Sequence, residues 1–571
     1  MLKKEGYQTG LLTYDSPIEI DKLLTDVKSF SPDLIGFSAT TNQYKHARKY
    51  ASWIKNEMKT ITVIGGVHGT MSPDIVITHP EWDFLIQGEA EEAIIELANA
   101  LKTGEDPTTI PNIWMRHKDK ILKNEPRPLI EDLDSLPFSD REIFDEAHLL
   151  RGSRGAMAIL ASRGCPFGCS YCCNPAYRKL YRGKGNWVRR RSTENIIQEI
   201  KMLISTYPVK LLYFDDDVFT LDKKWLLAFL GVYQKEIKLP FRVNVRVETI
   251  DRETLFALKS AGCEMIQIGV EHGDESFRTE ILNRKMTNTQ IENVFKWAEE
   301  ADIKTWSFNM IGFPGETMQS AMSTIEINRR LKPDHLQISV FNPYPGTELY
   351  ERCLKKGFFH ENAETSNGFF NPEFPLNLPT ITSEELKALH RQMVELSEVL
   401  ETQKKLERKY KNRKIFYDFT KMLPHARITQ PQEGYVKQAY FSIDDDLRKT
   451  LQEHPPSKIS YRLHIPPKSM LEFAIGIHPS VWEKAQGEGI IFSIELLLTS
   501  IFGKRKKIIL FSHHLDARRR LRDRVWHEFS IDLNEFADKK VILSFITEMK
   551  NNSSSDFNTA GWAEPLIVSK Q

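Results

Sequence analysis

The cysteines of this chain are concentrated in one short segment. They are Cys165, Cys169, Cys172, Cys173, Cys263 and Cys353, so four of the six fall in the run RGCPFGCSYCCN that begins at Arg163. The first three have the spacing C-x3-C-x2-C. Gly164, Pro166 and Gly168 disfavour a helix in this run. We therefore predict a loop whose three thiols bind a metal or take part in redox chemistry.

Two kinds of metal site are compatible with three thiols on one loop. A structural zinc site usually takes four protein ligands, and no second CxxC motif or histidine pair follows this loop. A cubane iron–sulfur cluster with one iron left open for a small ligand suits three thiolates better. The zinc loop remains the alternative. Cys173 lies outside the spacing and is interpreted as a neighbour rather than a ligand.

The cysteine loop resembles that of the radical S-adenosylmethionine (SAM) superfamily, in which an aromatic residue, here Tyr171, precedes the last cysteine. The resemblance implies that Cys165, Cys169 and Cys172 are the catalytic residues and hold a [4Fe–4S] cluster. It implies that SAM chelates the open iron and that Tyr171 lies beside the adenine. One electron would then cleave SAM to methionine and a 5′-deoxyadenosyl radical.

Strands and amphipathic helices alternate in the middle of the chain. Strands are predicted near residues 156–161, 210–214, 241–247, 264–270, 304–311 and 335–341. Helices between them include Ser192 to Ile204 and Asp251 to Ala261. The alternation predicts an α/β domain with a parallel sheet, and the resemblance implies a partial (β/α)6 barrel. Ligands of parallel barrels bind at the C-terminal ends of the strands.

Polar or glycine-rich segments follow the other predicted strands. They read DDDVF from Asp215, Arg246 with Glu248, GVEHG from Gly269, GFPGET from Gly312 and NPYPGT from Asn342. These patterns resemble the cobalamin-associated branch of radical SAM enzymes. By that resemblance Glu271 contacts the ribose of SAM, and Asp216 and Arg246 lie near its polar groups. The branch usually has GVES, so the role of His272 stays open.

The N-terminal segment has a doubly wound α/β rhythm, with glycine-rich loops at strand ends where ligands bind. DLIGFSATT, VIGGVHGT and IQGEAEEA resemble the cobalamin-binding domain that precedes this type of radical SAM domain. The resemblance implies that cobalamin and its nucleotide tail are lined by Ser38, Thr40, Gly65, Gly66, His68 and Gly88. Tight packing of strand on helix is the alternative reason for the paired glycines.

Three features bear on this resemblance. The chain begins at what corresponds to the end of the first helix, followed by a predicted strand LLTYD at residues 11–15, so the domain is expected to lack its first βα unit. No Asp-x-His-x-x-Gly motif supplies an axial histidine, and His68 is not interpreted as a cobalt ligand. No cysteine precedes Cys165, which excludes the second N-terminal cluster of methylthiotransferases.

The C-terminal third changes character twice. A charged segment from Thr382 to about Leu423 has apolar residues at helical spacing and predicts a helix packed on the barrel, with a coiled coil as the alternative.

From about residue 434, short apolar runs separated by turns predict a β-sandwich. Trp526, Asp532 and GWAEP from Gly561 resemble jelly-roll carbohydrate-binding modules, so sugar binding competes with a docking or spacer role. The RRRLR run from Arg518 is interpreted as a solvated face, with attraction of an anionic substrate or polymer as the alternative.

The predicted domains are a truncated cobalamin-binding-like domain at 1–125, a linker at 126–150, the barrel at 151–378, a helical segment at 379–430 and an all-β sandwich at 431–571.

The chain has 78 Lys and Arg against 77 Asp and Glu, a net charge of +1, which disfavours nucleic acid as a partner. No apolar run is long enough to span a bilayer, and no signal peptide is recognised, so a cytoplasmic protein is expected.

The leading hypothesis is a cobalamin-dependent radical SAM methyltransferase acting on an unactivated carbon. Its expected cofactors are a [4Fe–4S] cluster, SAM and cobalamin. Its expected partners are a small-molecule or lipid- or glycan-type substrate and an electron donor such as flavodoxin or ferredoxin. The alternatives are a radical SAM cyclase or rearrangement enzyme without functional cobalamin, and a glycan-binding scaffold protein with an inactive barrel.

Overall fold

The computed structural model describes residues 1–14, 17–118, 120–145, 149–150, 155–359, 374–430, 432–483, 488–499, 505–550 and 559–570. The chain divides into two units, Met1–Ser397 and Glu398–Gln571. The first unit contains an N-terminal α/β domain and a larger parallel-sheet domain, and the second is a β-sandwich. In the described part of the chain, no helix is both long and apolar enough to cross a membrane.

The N-terminal domain is a five-stranded sheet with helices. Its strands are β1 Leu34–Ser38, β2 Ile61–Gly65, β3 Phe84–Ile86, β4 Ile113–His117 and β5 Lys120–Lys123, and its helices are α1 Ile20–Phe30, α2 Thr41–Glu57, α3 Gly66–Met71, α4 Pro73–Val76 and α5 Glu91–Thr103. The first three strands are parallel, and β4 and β5 extend the sheet as an antiparallel hairpin. The loops after β1, β2 and β3 therefore meet at one edge.

The strand predicted at LLTYD is wrong for the residues that can be described. Leu11 to Tyr14 form no strand, and Asp15 lies outside the described residues. Leu11 and Leu12 are 40% and 48% exposed, so this apolar run pairs with no neighbouring strand and buries little of its surface. A β-type sequence forms a strand only where a partner strand satisfies its backbone hydrogen bonds.

The larger domain of the first unit confirms the predicted α/β barrel. Its strands are β6 Ala156–Ile159, β7 Ser162–Arg163, β8 Arg189–Arg190, β9 Leu211–Phe214, β10 Phe241–Val245, β11 Cys263–Glu271, β12 Lys304–Ile311 and β13 His335–Val340. Six of them form one parallel sheet in the order β6-β9-β10-β11-β12-β13, and β7 pairs with β8 apart from it. The six C-terminal strand ends therefore share one rim.

Helices follow the strands and cover one face of this sheet. They are α6 Asn174–Leu180, α7 Thr193–Thr206, α8 Lys223–Glu236, α9 Arg252–Ser260, α10 Glu275–Glu280, α11 Asn288–Glu300, α12 Met318–Leu331 and α13 Glu348–Lys356. Two of these helices have side-chain caps at their N-termini: Ser192 Oγ accepts from the Asn195 N–H at 3.1 Å, and Asp251 Oδ1 accepts from the Thr254 N–H at 2.9 Å. Each such cap stabilises its helix by about 1 kcal/mol.

A long helix, α14, spans Ser383–Lys409. Leu386, Leu389, Met393 and Leu400 are buried on one face, as their helical spacing predicts. The helix ends well before the predicted boundary near Leu423. The residues that follow enter strand β14, Ile415–Asp418, which pairs with the last strand of the sandwich, so tertiary pairing overrides the local helical pattern.

The second unit confirms the predicted β-sandwich. Its further strands are β15 Arg427–Thr429, β16 Val436–Ile443, β17 Asp446–Glu453, β18 Ser457–His464, β19 Ser469–Ile477, β20 Ile490–Thr499, β21 Arg505–Leu515, β22 His527–Asp532, β23 Lys540–Met549 and β24 Ala560–Ser569. One sheet has the order β16-β17-β24-β19-β22 with β14 beside β24, and the other has β15-β18-β23-β20-β21. Leu451, Phe545 and Trp562 belong to the core between them.

Candidate active site at the barrel rim

The backbone of the cysteine loop is held by side chains on both flanks. Gly164 has φ +87°, and a Cβ there would lie 2.2 Å from the carbonyl oxygen of Trp187, so only glycine fits. The Trp187 indole Nε1–H donates to the Cys165 carbonyl at 3.0 Å, and the Cys165 N–H donates to Asn174 Oδ1 at 3.1 Å. The loop therefore has a defined shape before any cofactor is considered.

Two buried guanidinium groups face the central thiol of this loop. Arg246 Nη1 lies 3.1 Å from Cys169 Sγ, and Arg284 Nη1 lies 3.8 Å from the same sulfur. Arg246 also stacks over the Phe167 ring at 3.7 Å and forms an ion pair with Glu248. Positive charge at this depth favours an anionic sulfur, so the residues present fit a thiolate-bound cluster.

The other two thiols lie in different electrostatic surroundings. Burial raises the pKa of the Cys165 thiol to about 11. The hydrogen bond from Cys173 lowers the pKa of Cys172 to about 6, and the amide of Asn174 acts in the same direction. Cys173 is thus a hydrogen-bonding neighbour of Cys172.

A single metal ion is not supported at this loop. Among the residues that the structure describes, no three His, Cys, Asp or Glu side chains converge as one metal ion would require. A cubane cluster places a separate iron at each thiolate and needs no such convergence. The donor set therefore favours the iron–sulfur interpretation over the zinc loop.

The predicted SAM-side residues Tyr171 and Glu271 meet at Arg284, which the sequence analysis missed. Arg284 Nη1 donates to Tyr171 Oη at 3.1 Å and lies 3.5 Å from Glu271 Oε1. Glu271 has φ +67° next to a register shift after Gly269 in β11, which turns its carboxylate back toward the barrel. Burial raises the pKa of Tyr171 well above its ordinary value, so its hydroxyl is neutral.

Asp216 holds the two residues that lead into the cysteine loop. Its carboxylate accepts hydrogen bonds from the Ala161 N–H at 3.1 Å and from the Ser162 hydroxyl, and burial raises its pKa. Asp217, its neighbour, reaches the loop itself, because its Oδ2 accepts from the Asn174 amide at 3.3 Å. A contact of Asp216 with SAM stays a prediction.

His272 joins two loops of the rim. Its Nδ1 accepts from the Asp274 N–H at 3.1 Å, which places the ring proton on Nε2, and Nε2 donates to Glu316 Oε1 at 3.1 Å. The other oxygen of Glu316 accepts from the backbone N–H groups of Gly312 and Phe313. Both ionisable side chains are fully buried. The histidine in GVEH therefore ties the end of β11 to the GFPGET loop after β12.

The glycine-rich loops of the N-terminal domain are closely packed. Gly66 has φ +82°, and a Cβ there would lie 2.7 Å from the Ala39 nitrogen and 2.9 Å from Ser38 Oγ. Gly65 is less constrained, since its nearest neighbour would be the Ile86 carbonyl at 3.7 Å. Thr40 caps α2 through a capping box with Gln43. Close packing accounts for Gly66, while lining of cobalamin by these residues stays a prediction.

His68 lies in the wall of a cavity of about 710 Å³ in the first unit. Its Nδ1 lies 3.2 Å from Thr41 Oγ1, its ring lies 4.1 Å from that of Tyr44, and burial lowers its pKa to about 4. The wall also contains Lys45 and Lys49, and Arg48, which forms an ion pair there with Glu81 at 3.2 Å. The volume is typical of ligand sites, and the two lysines fit the phosphodiester of a cobalamin nucleotide tail.

Gly88 contacts the barrel. Its φ is +84°, and a Cβ would lie 1.9 Å from Tyr181 Oη, which itself accepts from the Glu89 N–H at 2.7 Å. The Glu89 carboxylate forms ion pairs with Arg163 at 3.1 Å and Arg189 at 2.6 Å. The IQGE loop is therefore held against the strands that flank the cysteine loop, a connection that no local sequence pattern signals.

The motifs noted in the sandwich have packing partners. Trp526 stacks on Phe441 at 4.9 Å and donates its indole N–H to the Asp446 carbonyl at 2.9 Å. Trp562 of GWAEP is fully buried in the core. Trp562 therefore offers no face to a sugar ring, and one face of the half-buried Trp526 is covered by Phe441, so sugar binding by this unit gains no support from them.

Comparison with known proteins agrees with this geometry. Residues 159–327 match the radical SAM superfamily, and residues 1–98 match the B12 binding domain. A relative named uncharacterized methyltransferase PH0819, from Pyrococcus horikoshii, is 30% identical over 331 residues, which cover 57% of this chain and 71% of that protein. The chain therefore belongs to the radical SAM superfamily, whose members use a [4Fe–4S] cluster and SAM, and it carries a B12-binding domain.

Two further similarities extend the comparison. The anaerobic magnesium-protoporphyrin IX monomethyl ester cyclase of Rubrivivax gelatinosus is 25% identical over 369 residues, 62% of this chain and 65% of that protein. The structure of the radical SAM methyltransferase TsrM from Kitasatospora setae, with cobalamin and a [4Fe–4S] cluster bound, covers 64% of this chain and 72% of its own. Its TM-score is 0.51 at 17% identity, which shows a shared fold.

Proposed function

We propose that this chain is a cobalamin-dependent radical SAM methyltransferase that methylates an unactivated carbon of a small molecule. The observation that carries the proposal is the position of the cysteine loop. It lies at the C-terminal rim of the parallel sheet, with two buried arginines at Cys169, and its flanking strands are bound to the IQGE loop of the B12-binding domain. Relatives named as methyltransferases support the reaction class.

The residues divide into three groups by task. Cys165, Cys169 and Cys172 hold the cluster, and Arg246 and Arg284 balance the charge of the thiolates. When bound, the cluster and SAM supply a substrate radical, and cobalamin supplies the methyl group. The contacts of Tyr171 and Glu271 with Arg284 fix the wall against which SAM is proposed to bind.

The cavity next to His68 is proposed to take part of the cobalamin. His68 is neutral over the physiological range, since its pKa is about 4, and its ring is held by Thr41 and Tyr44. The amines of Lys45 and Lys49 supply positive charge for a phosphodiester, while Arg48 is paired with Glu81 of the same wall. An electron donor such as flavodoxin or ferredoxin is proposed to reduce the cluster.

Metal analysis tests the proposal directly. The full chain is reconstituted anaerobically with iron, sulfide and hydroxocobalamin, desalted, and analysed for metals and by UV–visible spectroscopy. We expect about four irons and about one cobalt per chain. With SAM and a reductant, the same preparation is expected to release 5′-deoxyadenosine.

Matched cysteine variants make the test specific. Cys169→Ala is expected to abolish release of 5′-deoxyadenosine, whereas Cys173→Ala, which removes the adjacent thiol, keeps most of it. Zinc in place of iron, or equal activity of both variants, would contradict the enzyme assignment and favour a scaffold protein. About four irons without cobalt would instead favour the second candidate, a radical SAM cyclase, which the similarity to the magnesium-protoporphyrin cyclase suggests.

A further inference from the structure

One face of the barrel sheet is aromatic and uncharged in its middle. In β11, Ile266, Ile268 and Val270 point to the helices and belong to the core. Successive side chains of a strand point to opposite faces, so Gln267 and Gly269 point to the inner face. The register pairs Gln267 with Trp306 and Gly269 with Phe308, and paired residues of parallel strands share a face.

The inner-face side chains form an ordered array. One row across four strands consists of Asn244, Gln267, Trp306 and His335. Trp306, Phe308 and Met310 form a strip along β12, with the first two ring centroids 5.5 Å apart, and all three side chains are only half-buried. Four residue steps of a strand make this strip roughly 13 Å long.

Gln267 contributes a buried side-chain oxygen to this array. The side chain is 5% exposed, and its Oε1 has no partner among the described residues. The neighbouring Asn244 amide is already engaged, since its Oδ1 accepts from Tyr213 at 3.2 Å and its Nδ2 donates to the Asp216 carbonyl at 3.0 Å. A buried acceptor without a partner costs about 1–3 kcal/mol, and a ligand with an N–H or O–H would offset that cost.

Charged groups lie at either side of the strip and are paired within the protein. Arg242 binds Glu264 at 2.6 Å, and Arg246 binds Glu248 near the strand ends. The part of a ligand that lies on Trp306 and Phe308 therefore meets apolar ring surface and amides rather than free charge. Planar rings gain about 0.5–1.5 kcal/mol from stacking or edge contacts with aromatic side chains, beyond the burial of their area.

We propose that the inner face of β11 and β12 binds a planar aromatic or conjugated ring of the substrate. The ring lies against Trp306 and Phe308, and a ring N–H or O–H donates to Gln267 Oε1. This inference rests on the proposed function, because it names the substrate class of that site.

Three probes with the same carboxylate side chain separate the contribution of the aromatic ring to binding from that of the ring N–H. They are indole-3-propionate, its N-methyl derivative and 3-cyclohexylpropionate, titrated into the reconstituted full chain with SAM bound and followed by ligand-observed NMR. We expect the indole to bind at least about fivefold more tightly than the saturated ring. N-methylation is expected to cost about fivefold, because it removes the donor to Gln267.

Two variants assign these differences to residues. Trp306→Leu is expected to remove the preference for the indole over cyclohexylpropionate. Gln267→Met is expected to remove the loss of affinity that N-methylation causes. Trp297→Leu removes an indole from α11, on the helix-covered side, and is expected to change neither ratio. Wild-type protein that binds none of the probes, or that binds the saturated ring as well as the indole, would overturn the proposal.

The same preparations separate this inference from the proposed function. Iron, cobalt and 5′-deoxyadenosine are measured for each variant. Normal cofactor content with no ring preference contradicts the substrate class alone. Ring preference without cobalt contradicts methyl transfer and leaves the substrate class intact.

Discussion

Arg246 and Arg284 place two guanidinium groups next to the sulfur of Cys169. Their side chains are 7% and 5% exposed, so little solvent screens them from Cys169. Each is itself balanced by a carboxylate, Glu248 for Arg246 and Glu271 for Arg284. The arginines therefore hold positive charge at the proposed cluster site without a large net charge in the barrel.

Removing one of these charges is expected to make the cluster harder to reduce. A unit charge about 6 Å away in a medium of effective dielectric constant about 20 shifts a potential on the order of 100 mV. For Arg246→Gln we expect a more negative reduction potential, measured by redox titration of the EPR signal. Arg252→Gln, at an exposed arginine paired with Glu300, is the control, and a shift of the same size there would refute the local effect.

His68 makes stability depend on pH in the protein without cobalamin. Its pKa is about 4 when folded and about 6.5 when unfolded, so the unfolded chain binds a proton that the folded chain does not. The stability is fully present above pH 6.5 and is lost as pH falls toward 4. We expect a loss of about 2 kcal/mol between pH 7.5 and pH 5.

This loss of stability is measured by urea unfolding of the first unit at each pH. Hydrogen exchange of peptides from residues 61–76 reports the unfolding. His68→Gln should flatten the dependence. His117→Gln, at an exposed histidine of β4, should leave it as in the wild type. Equal slopes for wild type and His68→Gln would show that another group is responsible.

Among the elements, the IQGE loop after β3 and the β7–β8 pair form a charged contact between the two domains of the first unit. Glu89 binds Arg189, whose side chain is 2% exposed, and Arg163, which directly precedes Gly164 of the cysteine loop. Tyr181 makes a second connection between the IQGE loop and the cysteine loop. Its hydroxyl accepts a hydrogen bond from the Glu89 N–H, and its ring stacks on Trp187 with ring centroids 6.2 Å apart. Trp187 in turn binds the Cys165 carbonyl.

Glu89→Ala is expected to destabilise the first unit by about 3 kcal/mol, since it leaves the guanidinium of Arg189 buried without its carboxylate. Glu92→Ala, in the following helix, breaks a pair whose carboxylate is 53% exposed and should cost about 0.5 kcal/mol. Urea unfolding of residues 1–397 within the full chain measures both. Equal costs for the two variants would contradict a buried role for Glu89.

In the whole molecule, the residues assigned to cofactors are confined to the first unit, Met1–Ser397. The sandwich unit has its own core and two complete sheets. A ligand stabilises the part of a protein that binds it in the folded state. Reconstitution should therefore act on the two units differently.

Loading with iron, sulfide and cobalamin should raise the temperature at which the first unit unfolds by several degrees and leave the sandwich unchanged. Removal of iron with a chelator and dithionite should reverse the shift. Calorimetry, with hydrogen exchange to assign each transition, measures both effects. A parallel shift of both units would show that they unfold as one.

Several features of the chain were determined by its sequence alone. The spacing of Cys165, Cys169 and Cys172 and the polar residues after each predicted strand identified the rim, because parallel strands bring their C-terminal ends together. The alternation of strands and helices predicted the parallel sheet, the short apolar runs predicted the sandwich, and the resemblance to the radical SAM superfamily implied the barrel. The end of α14 was missed because strand pairing with β24, far along the chain, overrides local helical preference.

The tertiary structure alone decided which distant side chains meet. Arg284 contacts Cys169 and Tyr171, which lie more than a hundred residues earlier in the chain, and Glu316 accepts a hydrogen bond from His272 Nε2 of a different loop. The spacing of residues along a sequence does not predict such pairs. A buried charged side chain could pair with any of several residues, and only the folded structure selects one of them. The types of residue at the rim could therefore be predicted from the sequence, whereas the pairing of their charges was set only by folding.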